Sequence, residues 1–123
     1  MKKIPFVNLG LQNKEYINDF QNSVSKIINS GQFMLGSNLR EFETKFAKYI
    51  GVKYCVGTGN CTDALCLILK YLGITNTDEV ITVSQSYLAT VSSILLNNGN
   101  PVLVDVNYNT YNIDENLIEE KIT

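Results

Sequence analysis

The sequence contains no histidine. That removes the commonest general base, every Ser–His or Cys–His nucleophile pair, and any metal site built on His and Cys. Its three cysteines, Cys55, Cys61 and Cys66, form no Cys-x-x-Cys pair and leave an odd thiol, so reduced thiols in a cytoplasmic protein are the simplest expectation. No apolar run approaches the roughly 20 residues that a membrane helix needs. The basic start Met1-Lys2-Lys3 leads into no apolar core, which excludes a signal peptide there. No basic stripe appears, and with a net charge of −2 and a pI of about 5.0 nucleic acid is not an expected partner. Low-complexity linkers and internal repeats are also missing. Any chemistry must come from a carboxylate, a lysine or a bound cofactor.

What is present is globular. The chain has 123 residues, 45% of them hydrophobic, and a mean hydropathy near zero. Residues 4–12 read as an extended lead-in containing Pro5. Asn13 is placed to cap a helix over 14–29, with Tyr16, Ile17, Phe20, Val24, Ile27 and Ile28 at helical spacing and a stop at Ser30-Gly31. Residues 32–36 form a loop. Ser37 or Asn38 then caps a second amphipathic helix that runs to about Ile50 and stops at Gly51. A strand is expected over 53–57, a turn over 58–61 and a largely apolar helix over 62–72. After a polar connection over 74–79 come a strand over 80–83, a helix over 86–98 and the stop Asn98-Gly99-Asn100-Pro101. A third strand follows over 102–106, then a loop over 107–113 and a last helix over 115–122, capped by Asp114. The alternation of strands and helices implies an α/β fold with a mostly parallel sheet.

The stretch Tyr54–Leu65 organises this pattern. A short strand, a turn bearing Gly57 and Gly59, and a helix start together present fresh backbone N–H groups, which is how anions are held at helix N-termini. Thr62 and Asp63 stand where side-chain oxygens cap such a helix. The Asp63 charge opposes an anion unless it points away. An ordinary capped βα turn has the same sequence, and these residues alone leave both readings open. The dinucleotide fingerprint fails, because its third glycine is missing and Asp78 and Glu79 precede the next strand instead of ending it. The P-loop fails too, because Asn60-Cys-Thr-Asp63 carries no lysine. Tyr87 stands just past the strand over 80–83, where open α/β sheets place ligands; its ring could stack on a flat ligand or fill a core. A phosphate cradle at one βα turn and a ring at the next would suit a flat, phosphate-bearing aromatic ligand such as pyridoxal phosphate.

Several separated motifs carry a family resemblance. Asn60-Cys-Thr-Asp-Ala-Leu65 is similar to the Asn-Gly-Thr-Asp-Ala-Leu turn of the DegT/DnrJ/EryC1/StrS family of sugar aminotransferases. Asp78-Glu-Val-Ile81, Ser84-Gln-Ser-Tyr-Leu-Ala-Thr90, Pro101-Val-Leu-Val-Asp-Val106 and Thr110-Tyr-Asn-Ile-Asp114 resemble further elements of it. So do Phe33-x-x-Gly36 and Phe42-Glu43 upstream, and the resemblance runs from about Ile4 to Thr123. It implies the N-terminal portion (1–123) of a fold-type-I pyridoxal phosphate-dependent transferase large domain, its sheet incomplete, preceded by a helical segment over about 1–50. It also implies transfer of an amino group, usually from glutamate, to a keto group of a nucleotide-linked sugar, by enzymes that are usually homodimers. By position, Thr62, Asp63 and Cys61 would hold the cofactor phosphate, chiefly through backbone N–H groups and the Thr62 hydroxyl. Tyr87 would stack on the pyridine ring, and Phe33 and Gly36 would lie near the sugar nucleotide.

Two positions depart from the pattern: Cys61 stands where the family has glycine, and Val83 where the strand ends in proline. The Schiff-base lysine and the acidic partner of the pyridine nitrogen lie well beyond position 123 in the family. Lys53, Lys70 and Lys121 match no lysine motif. The chain alone is therefore expected not to transaminate. Two alternatives remain: a non-catalytic phosphate- or sugar-nucleotide-binding module, and a relative that lacks the lysine and dehydrates sugars. In the family's sheet, strands supplied later in the chain separate the first strand from the next two, so exposed apolar surface is expected here.

Overall fold

The computed structural model describes residues 4–123; the basic start at 1–3 lies outside the described residues. The chain divides into two compact units, Met1–Gly57 and Thr58–Thr123.

The first unit is helical. The expected lead-in contains a short helix, α1 (Leu9–Gln12), because Asn8 Oδ1 accepts from Leu11 N at 3.0 Å and caps it. Asn13 therefore ends α1, its N–H reaching the Leu9 and Leu11 carbonyls, and makes no side-chain cap for the next helix. A 3₁₀ turn over Lys14–Tyr16 follows, and α2 spans Ile17–Ser30. α3 spans Ser37–Ile50 with Gly36 as its N-cap, so neither Ser37 nor Asn38 caps it. Both helices end as the sequence implies. Gly31 and Gly51 adopt φ of +66° and +81°, which glycine tolerates without a Cβ clash, and turn their N–H groups back onto the last-turn carbonyls. On α3, Phe42 and Phe46 stack one turn apart at 5.4 Å, and Lys45 pairs with Glu41.

Residues 52–57 form no strand, contrary to expectation. A strand exists only through its ladder, and this segment finds no partner strand among the described residues. It is held instead by Gly57 N–H donating to Glu43 Oε1 at 2.8 Å, with Leu39 Cδ1 packed where a Cβ on Gly57 would be.

The second unit is α/β. It contains α4 (Cys61–Tyr71), β1 (Glu79–Val83), α5 (Ala89–Leu96) and β2 (Asn100–Val104). β1 and β2 pair in parallel from Glu79↔Asn100 to Val83↔Val104. α5 is the crossover between them; it packs on both strands, and α4 packs on α5. The core is small: Val104 (1% exposed), Ile94 (2%), Ser93 (1%) and Ala89. β2 starts two residues earlier than expected because Asn100 N–H bonds Asp78 O at 2.9 Å and draws the turn into the ladder. α5 starts at Ala89, not at 86, because Ser84 N–H still reaches Val104 O at 2.8 Å and keeps the chain strand-like past Val83. Asp114 does cap the last segment, accepting from Asn116 N at 3.1 Å, but only two 3₁₀ turns follow, Glu115–Leu117 and Glu119–Lys121. No helix of the described residues is long and apolar enough to cross a membrane, and no group of three His, Cys, Asp or Glu side chains gathers there as a metal set.

Candidate functional site

Three contacts fix how α4 and α5 run. Asn97, the C-cap of α5, donates from Nδ2 to Cys66 O, midway along α4, at 3.2 Å and to Ser93 O of its own helix at 2.8 Å. The Cys66 thiol lies 3.9 Å from Ser93 O. At the C-terminal ends, Ile74 Cγ2 sits where a Cβ on Gly99 would come within 2.7 Å. The helices are therefore side by side and parallel, and their N-termini share the other end. That end is also the C-terminal end of β1 and β2, the ligand-bearing edge of open α/β sheets. Cys61, Thr62 and Asp63, in the first turn of α4, and Tyr87, just before α5, all lie toward that end of the unit. Phe33 (69% exposed) and Gly36 belong to the first unit, in the loop before α3 and at its N-cap.

The α4 start differs from the expected cap. Asn60 is the N-cap, its Oδ1 accepting from Asp63 N at 2.9 Å while its Nδ2 donates to Asp63 Oδ2 at 2.9 Å. Thr62 and Asp63 lie inside the first turn. The Asp63 carboxylate is turned back over Gly59, where a Cβ would meet Oδ2 at 2.9 Å, so Gly59 makes the room that the carboxylate occupies. The N–H groups of Cys61 and Thr62 and the Thr62 hydroxyl make no hydrogen bond among the described residues. These donors, on a half-buried Thr62 and an exposed Cys61, fit a phosphate. The Asp63 N–H is already taken. The Asn60-x-x-Asp63 spacing was the readable signal for this reciprocal cap, since it follows the capping-box pattern with an Asn and an Asp.

Tyr87 is 82% exposed and outside α5, so it is not a core residue. It rides on the five-residue connection 84–88. Ser84 Oγ donates to Asp105 Oδ1 at 3.3 Å at one end of that connection; at the other, Ser86 Oγ and Thr90 Oγ1 are 2.7 Å apart. Neither tether was read from the sequence. The two lysines of this unit lie away from this edge: Lys70 in the last turn of α4, and Lys121 beside Asp78 and Asn100 at the N-terminal end of the strands. In the first unit, a groove of about 470 Å³ between α3 and residues 52–55 is lined by Arg40, Lys48, Lys53 and Tyr54 and includes no residue of this edge.

The sequence profile of the DegT/DnrJ/EryC1/StrS aminotransferase family matches residues 14–123. The chain belongs to that family. It is 45% identical over 120 residues to the dTDP-3-amino-3,6-dideoxy-alpha-D-galactopyranose transaminase of Aneurinibacillus thermoaerophilus, covering 98% of this chain and 33% of the relative. To the UDP-2-acetamido-2-deoxy-3-oxo-D-glucuronate aminotransferase of Pseudomonas aeruginosa it is 36% identical, with the same coverage. Among solved structures it superposes on S. venezuelae DesV, in complex with a ketimine intermediate, with a TM-score of 0.95 at 32% identity, covering 100% of this chain and 33% of that one. NtdA of Bacillus subtilis, with bound cofactor PMP, gives a TM-score of 0.94 at 33% identity, covering 100% of this chain and 28% of that one. The chain thus spans about a third of the length of the curated relatives it matches. The likeness makes the small parallel sheet part of a pyridoxal phosphate-dependent aminotransferase fold.

Proposed function

We propose that the whole protein carrying this chain is a pyridoxal phosphate-dependent aminotransferase that moves an amino group, with glutamate as donor, onto a keto group of a nucleotide-linked sugar. One observation carries the reading. In a member of this family, the α4 start with its free N–H groups and the Tyr87 connection lie at one edge of the sheet. When bound, the cofactor supplies the electron sink for amino transfer. The residues of this chain bind and orient it. Cys61 N–H, Thr62 N–H and the Thr62 hydroxyl hold the phosphate, while Asp63, turned onto Asn60, keeps its charge off the anion. Tyr87 offers its ring to the pyridine face. Phe33 and Gly36 are proposed for the sugar-nucleotide side. The position of Lys70 and Lys121 away from this edge supports assigning the Schiff-base lysine to a part of the whole protein outside this chain.

The test is an assay of the purified whole protein with pyridoxal phosphate, glutamate and a dTDP- or UDP-linked keto sugar. 2-Oxoglutarate should form in more than one equivalent per cofactor only when all three are present, and the aminated sugar nucleotide should accumulate with it. A protein that binds the sugar nucleotide but releases no 2-oxoglutarate contradicts the proposal.

A further inference from the structure

The Tyr87 ring is 82% exposed and stacks on no ring among the described residues, so side-chain packing does little to set its direction. Its presentation must come from the backbone of residues 84–88. That backbone is pinned at two points. At the first, Ser84 N–H extends the β ladder onto Val104 O at 2.8 Å, and Ser84 Oγ donates to Asp105 Oδ1 at 3.3 Å. Asp105 is itself fixed, because its Oδ1 also accepts from Val106 N at 2.8 Å and its carbonyl accepts from Asp114 N at 2.9 Å. At the second point, Ser86 and Thr90 share a hydroxyl–hydroxyl bond, and Thr90 N–H donates to Tyr87 O at 3.0 Å. Only Gln85 lies between the two pinned serines.

We propose that Asp105 is a positioning residue for Tyr87: acting through Ser84, it anchors the β1–α5 connection so that the ring stands at the cofactor edge. The inference rests on the reading that Tyr87 stacks on the cofactor ring. Asp105 touches neither cofactor nor substrate, and its carboxylate serves as a hydrogen-bond acceptor locked to the end of β2. Removing the acceptor frees the Ser84 side of the connection and lets the ring sample orientations that do not stack. The phosphate end is built on the α4 start, so phosphate binding is unaffected.

The test is calorimetric titration of the whole protein with pyridoxamine phosphate and, separately, with inorganic phosphate. Asp105→Ala should weaken pyridoxamine phosphate binding roughly fivefold, the scale of one aromatic pair, and leave inorganic phosphate affinity unchanged. Asp105→Asn, which keeps an acceptor oxygen, should bind within about twofold of wild type. In a Tyr87→Ala background the Asp105→Ala change should have no further effect. Ser84→Ala removes the same bond without disturbing Val106 N–H, and decides the matter should Asp105→Ala fail to fold. Wild-type affinity in both Asp105→Ala and Ser84→Ala overturns the inference. So does an equal loss in the Tyr87→Ala background, or a matching loss of phosphate affinity. Wild-type affinity in Tyr87→Ala overturns the stacking reading itself and this inference with it.

Discussion

Asn60 is the residue on which the α4 start depends. Its amide satisfies the Asp63 N–H and grips the Asp63 carboxylate, so one side chain both caps the helix and steers a charge. Asn60→Ala should lower stability by about 1 kcal/mol, the usual value of an N-cap, read from the midpoint of urea unfolding. An unchanged midpoint would mean that the cap contributes nothing. The Asn and the Asp three positions on are visible in the sequence, yet residue types alone put the cap at Thr62 and Asp63, two and three residues past Asn60. The error was one of register: Thr and Asp are cap formers wherever they stand, and only the backbone shows that Asn60, extended at φ −164°, is the last non-helical residue. Cys61 then becomes the first residue of α4, with its side chain exposed beside the free N–H groups. In the whole protein, iodoacetamide should modify Cys61 faster than the half-buried Cys55 and Cys66, and pyridoxamine phosphate should slow the reaction at Cys61 selectively. Mass spectrometry of the labelled peptides reads this directly; equal labelling of Cys61 with and without the ligand contradicts a phosphate seated on α4.

At the scale of elements, the C-terminal ends of α4 and α5 pack closely. Gly99 stands where any Cβ would press on Ile74 at 2.7 Å and on Ile94 at 3.1 Å. Gly99→Ala should destabilise by about 1–3 kcal/mol through overpacking, and Ile94→Ala by about 2–5 kcal/mol through cavity formation, both measured by denaturant unfolding. The turn entering β1 carries an acid-sensitive group. The Thr75 hydroxyl, and after it the Thr75 N–H, holds the Asp78 carboxyl below the usual carboxylate range. A lowered folded pKa stabilises the fold above the unfolded carboxylate's pKa, and that stabilisation is lost as pH falls through the folded value. Thr75→Val should therefore flatten the loss of stability on the acid side of pH 4 and change little at pH 7 beyond a constant offset. A wild-type acid slope in the variant would remove Asp78 from the account. Helix ends marked by glycine, at Gly31 and Gly51, were legible because a left-handed residue needs no tertiary partner. The strand over 53–57 was not, because its apolar run says nothing of who pairs with it. The late start of α5 and the early start of β2 were hidden for the same reason. Ser84 and Asn100 are drawn into the ladder by bonds to Val104 and Asp78, residues far away in sequence.

For the whole molecule, the fold class and the family were legible because several motifs at fixed spacing point the same way. The lysine chemistry was not, because Lys53, Lys70 and Lys121 match no lysine motif. Among the described residues β1 and β2 pair only with each other, and Leu67, Ile68 and Leu96 on the helices of the second unit, with Leu72 at the end of α4, remain exposed. Open strand edges and exposed leucines favour self-association. The 123-residue chain on its own should therefore bind the dye ANS and grow in light scattering as its concentration rises, whereas a dye-silent monomer would mean that these surfaces are covered within the chain. This edge is proposed to serve cofactor-dependent amino transfer. That role is tested most directly by mixing the whole protein, loaded with pyridoxal phosphate, with glutamate in the absence of any sugar. A single stoichiometric release of 2-oxoglutarate per cofactor is expected, abolished by removing the cofactor. No glutamate-dependent release, from a protein shown to hold the cofactor, would contradict it.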